Sequence, residues 1–173
     1  MNKPKRDKEM NNDLSVAKGV SAHKRGSLAL IQDYHPNFYY TYKELSKYYD
    51  LTMFGDSYYP VPKDINLVRW ETIKLGKVYI GDAQRLRKLL KGYKLAIVKD
   101  YQFKSLQAIN VCKLENIKYC VMLQTITKPL VLNLFRRFIG KDTPIIFSVD
   151  VDIDKAKWFK NVSYIPFSIE VKK

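Results

Sequence analysis

The sequence is poor in the residues that build metal centres. Its 173 residues include two cysteines, Cys112 and Cys120, and two histidines, His23 and His35. The cysteines lie eight positions apart, which is not a zinc-ligand spacing. A zinc site is therefore excluded, and the cysteines are expected to be buried, reduced thiols of an intracellular protein.

Long apolar runs are absent as well. No run approaches the roughly 18 residues of a membrane-spanning helix, and no signal peptide precedes the first predicted strand. These absences predict a soluble protein of the cytoplasm, or one that is peripheral at a membrane. With 46% hydrophobic and 13% aromatic residues, the chain can still bury a sizeable core.

Glycine is scarce where nucleotide-binding motifs require it. Gly76 and Gly81 have the spacing of phosphate-loop glycines, but Asp82 and Ala83 stand where that motif needs Lys and Ser or Thr. The turn after the first predicted strand, residues 33–38, contains no glycine. Such a turn cannot bring its backbone as close to a pyrophosphate as G-x-G-x-x-G does, which argues against a dinucleotide oxidoreductase.

Acidic residues are also few. Asp and Glu number 17 against 31 Lys and Arg, a net charge of +14 at pH 7, which favours anionic partners such as nucleic acid, phosphates or acidic lipid. Residues 1–26 hold seven basic and three acidic residues, so the remainder still carries about +10. We predict that 1–26 form a basic, disordered tail and that 27–173 form one domain.

From Ser27 onward, strand patterns alternate with helix patterns, which is typical of βαβ units. The predicted strands span 28–32, 51–54, 66–70, 95–99, 119–123, 145–149 and 162–165. The predicted helices span 37–49 with Asn37 as N-cap, 82–91, 103–115, 130–139 and 152–160. The expected fold is α/β: a Rossmann-like three-layer sandwich with a mostly parallel sheet of six or seven strands and helices on both faces.

Three of the apolar runs end on an aspartate: Asp33, Asp100 and Asp150. If the strands are parallel, these residues lie at the carboxyl edge of the sheet, where ligands of open α/β sheets bind. The alternative for each aspartate is a helix N-cap, and for His35 it is a loop residue that caps backbone.

The order of elements over residues 28–170 resembles the N-terminal, acceptor-side domain of GT-B glycosyltransferases, and is most similar to the retaining family 4 enzymes. The resemblance rests on the opening strand and its loop, on Leu-Ala-Ile-Val-Lys-Asp at 95–100, on Tyr-Cys-Val-Met-Leu-Gln-Thr at 119–125, and on the exit segment 161–170. It implies a domain that binds a sugar or glycolipid acceptor and needs a donor domain or partner for activity.

The sequence departs from that family at two functional places. The first loop lacks the usual glycines, and Phe167-Ser168 stand where Asn-Gly is usual in the exit segment. The family holds its nucleotide-sugar donor in a C-terminal domain by two glutamates separated by seven residues, and no pair of glutamates here has that spacing. The resemblance therefore implies no cofactor in this chain and a nucleotide sugar only with a donor domain.

The same resemblance assigns roles at the carboxyl edge. Asp100 and His35 are the candidate catalytic residues, because a carboxylate or an imidazole there orients or deprotonates an acceptor hydroxyl. The candidate substrate-binding residues are Asp33, Asn37, Tyr101, Gln124, Thr125 and Thr127, and no metal is assigned.

Two other functional classes remain open. The strand-end aspartates, with Asp152 and Asp154, would serve a magnesium-dependent nuclease or phosphohydrolase if adjacent strands brought them together. A non-enzymatic module would use segment 130–139, with Arg136 and Arg137, against an anion or an acidic membrane. The alternative for that segment is core or inter-domain packing, and nucleic acid is the less favoured partner.

Overall fold

The computed structural model describes residues 24–76, 78–123, 129–147 and 159–164. The strands are β1 (Ser27–Ile31), β2 (Asp50–Gly55), β3 (Leu67–Arg69), β4 (Thr72–Leu75), β5 (Val78–Gly81), β6 (Leu95–Lys99), β7 (Lys118–Leu123), β8 (Ile145–Phe147) and β9 (Val162–Tyr164). The helices are α1 (Tyr39–Ser46), α2 (Ala83–Leu89), α3 (Phe103–Leu114) and α4 (Pro129–Ile139), and a 3₁₀ turn, Pro36–Phe38, precedes α1.

Seven strands form one sheet in the order β3-β2-β1-β6-β7-β8-β9, and each neighbouring pair is parallel. The chain builds outward from β1 in one direction, then returns and builds outward from β6 in the other. This is the doubly wound order, whose switch point lies between β1 and β6. The predicted α/β, Rossmann-like fold with a mostly parallel sheet of six or seven strands is confirmed, and the observed sheet has seven.

The two faces of the sheet have separate cores. Because side chains alternate along a strand, Leu28 and Leu30 of β1 join one core, and Ala29 and Ile31 join the other. The 3₁₀ turn and α1 cover the first face. Helices α2, α3 and α4 cover the second face, so helices lie on both sides as predicted.

The first helix differs from its prediction. Asn37 is not an N-cap, because it lies inside the 3₁₀ turn and donates its backbone N–H to Nδ1 of His35 at 3.2 Å. His35 is the capping residue, and the helix that follows ends at Ser46 rather than at residue 49. Pro36 explains the change, since a residue before proline prefers the extended backbone that a capping residue adopts.

A two-stranded antiparallel hairpin, β4–β5, was not predicted. Its turn contains Gly76 at φ +59°, and its last residue, Gly81, packs so closely that a Cβ there would lie 2.2 Å from the Trp70 ring. The Trp70 indole N–H donates to the carbonyl of Asp82 at 2.9 Å, and Asp82 in turn caps α2 through the Arg85 N–H. These two glycines therefore serve a turn and a close packing contact.

Cys112 is buried and Cys120 is half-buried, and both are free thiols. Burial raises the pKa of Cys112 to about 12 and that of Cys120 to about 11, so neither is a thiolate at neutral pH. No helix within the described residues is long and apolar enough to cross a membrane.

Some predictions lie outside the described residues. They concern residues 1–23 of the tail, residues 148–149 of the strand begun by β8, residues 152–158 of the last helix, Ile165, the site residues Gln124, Thr125 and Thr127, and Asp150, Asp152 and Asp154. Residues 159–160 are described. They were predicted to end the last helix, but they form a bend just before β9.

Candidate functional site

The predicted site lies at the switch point of the sheet. Strands β1 and β6 are direct neighbours, with Ile31 paired to Val98, so Asp33 and Asp100 leave the sheet side by side at its carboxyl edge. The loop after β2 adjoins them, because Tyr34 bridges to Ser57. We call the space bounded by residues 32–35, 56–59 and 99–101 the crevice.

Asp33 ties three segments of the crevice together. Its Oδ1 accepts the backbone N–H of Asp56 at 3.0 Å, and its Oδ2 forms an ion pair with Nζ of Lys104 in the first turn of α3. The Lys104 side chain is only 14% exposed, so this contact is largely shielded from water. The alternative role of Asp33 as a helix N-cap is wrong, because His35 caps the turn that follows.

The close approach of the two loops depends on Gly55 at the end of β2. A Cβ at this position would lie 2.1 Å from the carbonyl oxygen of Gln32, which no real contact allows. A hydrogen bond also joins the two loops: the Tyr34 N–H donates to the carbonyl of Asp56 at 2.8 Å. The glycine that shapes the first loop therefore stands on the neighbouring strand and not in the loop itself.

Asp100 has a left-handed backbone conformation and a carboxyl group with a raised pKa. Its φ is +65°, a left-handed conformation that Asp and Asn tolerate better than most residues, and its N–H donates to the carbonyl of Met122 at 2.9 Å. Burial raises the pKa of its carboxyl group, while the ammonium groups of Lys99 and Lys104 act in the opposite direction. Asp100 is not the N-cap of α3, since Gln102 occupies that position.

Lys99 contributes a shielded cation that the sequence analysis did not assign to the site. Its Nζ lies 4.6 Å from the centroid of the Phe38 ring, and burial lowers its pKa although Asp100 and Asp33 raise it. Within the part of the chain that is described, no carboxylate oxygen lies within 4.0 Å of this nitrogen. The ammonium group is thus oriented by an aromatic face rather than neutralised by a direct ion pair.

Gln32 is a second polar residue that was missed. Its side chain is only 5% exposed, and its Nε2 donates to no acceptor of the described residues. Gln32 and Lys99 follow the paired residues Ile31 and Val98, so they stand next to each other across β1 and β6. A polar residue directly before the final aspartate, as in Gln32-Asp33 and Lys99-Asp100, was the signal that could have identified both.

His35 keeps one ring nitrogen available. Because Nδ1 accepts the Asn37 N–H, the neutral ring carries its proton on Nε2, which is therefore a donor. The ring packs edge-on against Tyr59 at 5.0 Å between centroids, and Tyr59 is 45% exposed. The capping alternative for His35 is confirmed, and it leaves the other nitrogen for a ligand.

Among the described residues, the sequence prediction also includes Tyr101, Arg136 and Arg137. The Tyr101 ring packs edge-on against Phe135 of α4, with 6.4 Å between centroids. Arg136 and Arg137 lie in the last turn of α4, and a helix that follows a parallel strand runs back toward the amino edge. The two arginines therefore lie toward the opposite edge of the sheet from Asp100.

The floor of the crevice is closely packed. A cavity of about 10 Å³, room for roughly one water molecule, is lined by Phe54, Trp70 and Ser105 together with the crevice residues Gln32, Asp33, Lys99 and Lys104. Ser105 Oγ closes one side by donating to the carbonyl of Lys99 at 2.8 Å. This cavity is too small for a sugar, so a larger ligand would have to bind on the solvent side of these residues.

The charge balance of the crevice bears on the magnesium hypothesis. Among the described residues, no three His, Cys, Asp or Glu side chains cluster as a metal site would require. Asp33 is paired with Lys104, and Asp100 lies beside Lys99, so a divalent cation would compete with two ammonium groups. Asp150 lies outside the described residues, so the magnesium hypothesis stays a prediction. The contacts of Asp33 and Asp100 do not favour it.

Comparison with models of known protein families finds no match, and comparison with curated proteins finds none either. The functional inference therefore depends on the chemistry of the crevice.

Proposed function

We propose that this domain binds a sugar or glycolipid acceptor in the crevice, as the acceptor-side part of a GT-B-type glycosyltransferase. The observation that carries the proposal is the Asp100 carboxyl group, which is largely buried at the switch point with a raised pKa and lies beside the shielded ammonium group of Lys99. A donor domain or partner protein supplies the nucleotide sugar.

Asp100 acts on the acceptor hydroxyl. The hydroxyl donates a hydrogen bond to the carboxylate, and its proton passes to Asp100 as its oxygen bonds to the anomeric carbon of the donor. The bond between that carbon and the leaving diphosphate breaks in the same reaction. A raised pKa suits this role, because a general base works best when its pKa lies near the working pH.

Three donors belong to the segments that bound the crevice. Lys99 Nζ, Gln32 Nε2 and the Nε2–H of His35 each lack a carboxylate partner among the described residues and can donate to sugar oxygens. The exposed ring of Tyr59 adds an apolar surface of the kind on which sugar rings pack. A mixture of one acceptor, several donors and an aromatic rim matches a polyhydroxylated ligand better than a metal ion.

The proposal is tested by amide-resolved NMR titration. Methyl glycosides of glucose, galactose, mannose and N-acetylglucosamine are each added to 50 mM, and the expected shifts fall on residues 32–37, 56–59 and 99–101. A Kd in the millimolar range corresponds to about −4 kcal/mol, enough for a two-contact subsite.

The variant Asp100→Asn keeps the left-handed backbone and removes the charge, and it is expected to lose most of these shifts. The matched control is Asp142→Asn, an exposed aspartate that pairs with Lys160 next to β8 at the amino edge. Shifts that are absent for all four glycosides, or that fall outside the crevice, would contradict the proposal.

A further inference from the structure

The outer surface of α4 exposes a line of apolar side chains. Leu130, Leu134 and Phe138 recur every four residues and are 80%, 55% and 68% exposed, and Val131 beside them is 42% exposed. The opposite side of the helix, with Leu132, Phe135 and Ile139, is buried, so core packing accounts for three of the seven apolar side chains that follow Pro129. We call the four exposed residues the outer stripe.

The outer stripe continues into a groove between α3 and α4. The groove encloses about 330 Å³, and its lining includes Phe103, Leu106, Ile109 and Phe138. Phe103 is 49% exposed at one end, and Lys113 at the other end donates from Nζ to the carbonyl of Phe138 at 2.9 Å. A continuous apolar surface of this kind marks an interaction site, whereas single exposed hydrophobic residues are ordinary.

The charge of the helical layer identifies the kind of partner. Helices α2, α3 and α4 contain no aspartate or glutamate within their bounds, whereas α1 on the other face contains Glu44. The layer has seven basic residues: Arg85, Arg87, Lys88, Lys104, Lys113, Arg136 and Arg137. Arg87 pairs with Glu115 just after α3, and Lys104 pairs with Asp33, but the layer as a whole keeps an excess of cations. An apolar surface in such a layer is complementary to an anionic partner.

We propose that the outer stripe and the α3–α4 groove dock on an acidic lipid bilayer. The leucine and phenylalanine side chains enter the boundary between headgroups and acyl chains, and exposed cations such as Arg137 and Lys88 contact lipid phosphates. Nucleic acid fits less well, because Leu130 and Leu134 have no planar face on which a base could stack. The proposal does not depend on the function of the crevice.

The test is vesicle flotation with the full chain. Vesicles of phosphatidylcholine with 30 mol% phosphatidylglycerol are compared with phosphatidylcholine alone, each at 50 mM and 500 mM NaCl. Binding is expected only to the acidic vesicles at low salt, with an affinity at least about tenfold above that in high salt, because salt screens the contribution of the cations.

Two variants separate insertion from simple adsorption. Leu134→Gln with Phe138→Gln alters exposed positions, so the fold is retained, and binding is expected to fall at least about tenfold. The matched control is Ile73→Gln with Leu75→Gln on the β4–β5 hairpin, where the side chains are 70% and 60% exposed but no helix is involved. In a third variant, Leu134→Trp, the tryptophan emission is expected to shift to the blue on acidic vesicles.

Three results would overturn the proposal. One is the absence of binding to acidic vesicles at 50 mM NaCl, and another is a Leu134→Gln, Phe138→Gln variant that binds as well as the unmodified chain. The third is a concentration-dependent dimer that this variant abolishes while vesicles bind neither protein, since the outer stripe would then face a second copy of the chain.

Discussion

The crevice and the outer stripe depart from the usual distribution of polar and apolar groups in opposite directions. At the crevice, polar groups are shielded, and Gln32 and Lys104 are 5% and 14% exposed. On α4, apolar groups are in water, and Leu130 is 80% exposed. Shielded polar groups and exposed apolar groups each cost stability, so both regions are where we expect binding to offset that cost.

The crevice and the outer stripe also differ in how they are held in place. The crevice is held by contacts between distant segments, such as the ion pair between Asp33 and Lys104, which are 71 positions apart. The outer stripe belongs to one helix and can change without altering the sheet. Substitutions at the crevice should therefore affect stability and binding together, whereas substitutions on the stripe should affect binding alone.

The largest effect is expected for Gly55→Ala. The added Cβ would meet the Gln32 carbonyl at 2.1 Å, and the backbone on both sides must move, at a cost of about 3 kcal/mol. The measurement is the free energy of unfolding from urea denaturation. The control is Gly92→Ala, where no atom lies within 4 Å and only the positive φ of +93° is penalised, by about 1 kcal/mol. Equal losses in the two variants would show that the loop contact is not tight.

Lys104→Met should come next, because it leaves the Asp33 carboxylate without its partner at a partly buried position. We expect a loss of about 1 to 2 kcal/mol, which the double variant with Asp33→Asn should partly recover. A double-mutant cycle in urea gives the coupling energy. The exposed pair of Lys24 and Asp50, 47% and 65% exposed, is the control and should contribute less than about 0.5 kcal/mol.

Asp100→Asn is expected to stabilise the protein while it impairs the crevice. Burial raises the pKa of Asp100 above its ordinary value of 3.8, so the folded state binds this proton more tightly than the unfolded state does. The stability that the protonated Asp100 carboxyl group contributes is complete below the unfolded-state pKa and is lost as pH rises through the folded-state pKa. Asparagine has no such loss and keeps the left-handed backbone.

The variant should therefore gain about 0.5 kcal/mol or more over the unmodified protein near pH 7, and the difference should shrink toward pH 3.5. Urea denaturation at four pH values measures the trend. If the difference in unfolding free energy between the two proteins did not vary with pH, burial would not raise the pKa of Asp100.

The smallest effect is expected from magnesium. With Lys104 bound to Asp33 and Lys99 beside Asp100, 10 mM MgCl₂ should leave the unfolding midpoint unchanged beyond its ionic-strength effect. A magnesium site with a Kd near 0.1 mM would instead add about 2.7 kcal/mol, readily seen in a thermal scan. Such stabilisation would favour the metal-dependent hydrolase over the acceptor-binding domain, and calcium chloride at equal concentration is the control.

Much of the fold could be predicted because secondary structure follows local patterns. The strand at 95–99 was predicted with its observed bounds, and the helix predicted over 103–115 is observed as Phe103–Leu114. Apolar spacing within about ten residues is enough for such elements. The hairpin β4–β5 was missed because its strands are four residues each and lie mostly on the surface.

By itself, the sequence determined the alternation of strands and helices, the aspartates at the strand ends and the excess of positive charge. Only the tertiary structure decided which strand ends are neighbours, and hence that Asp33 and Asp100 share one crevice with Lys99, Lys104 and Gln32. It also decided that four of the seven apolar side chains of α4 after Pro129 face outward. The reason is physical: strand adjacency and helix orientation are set by contacts between residues far apart in the chain, which no local pattern encodes.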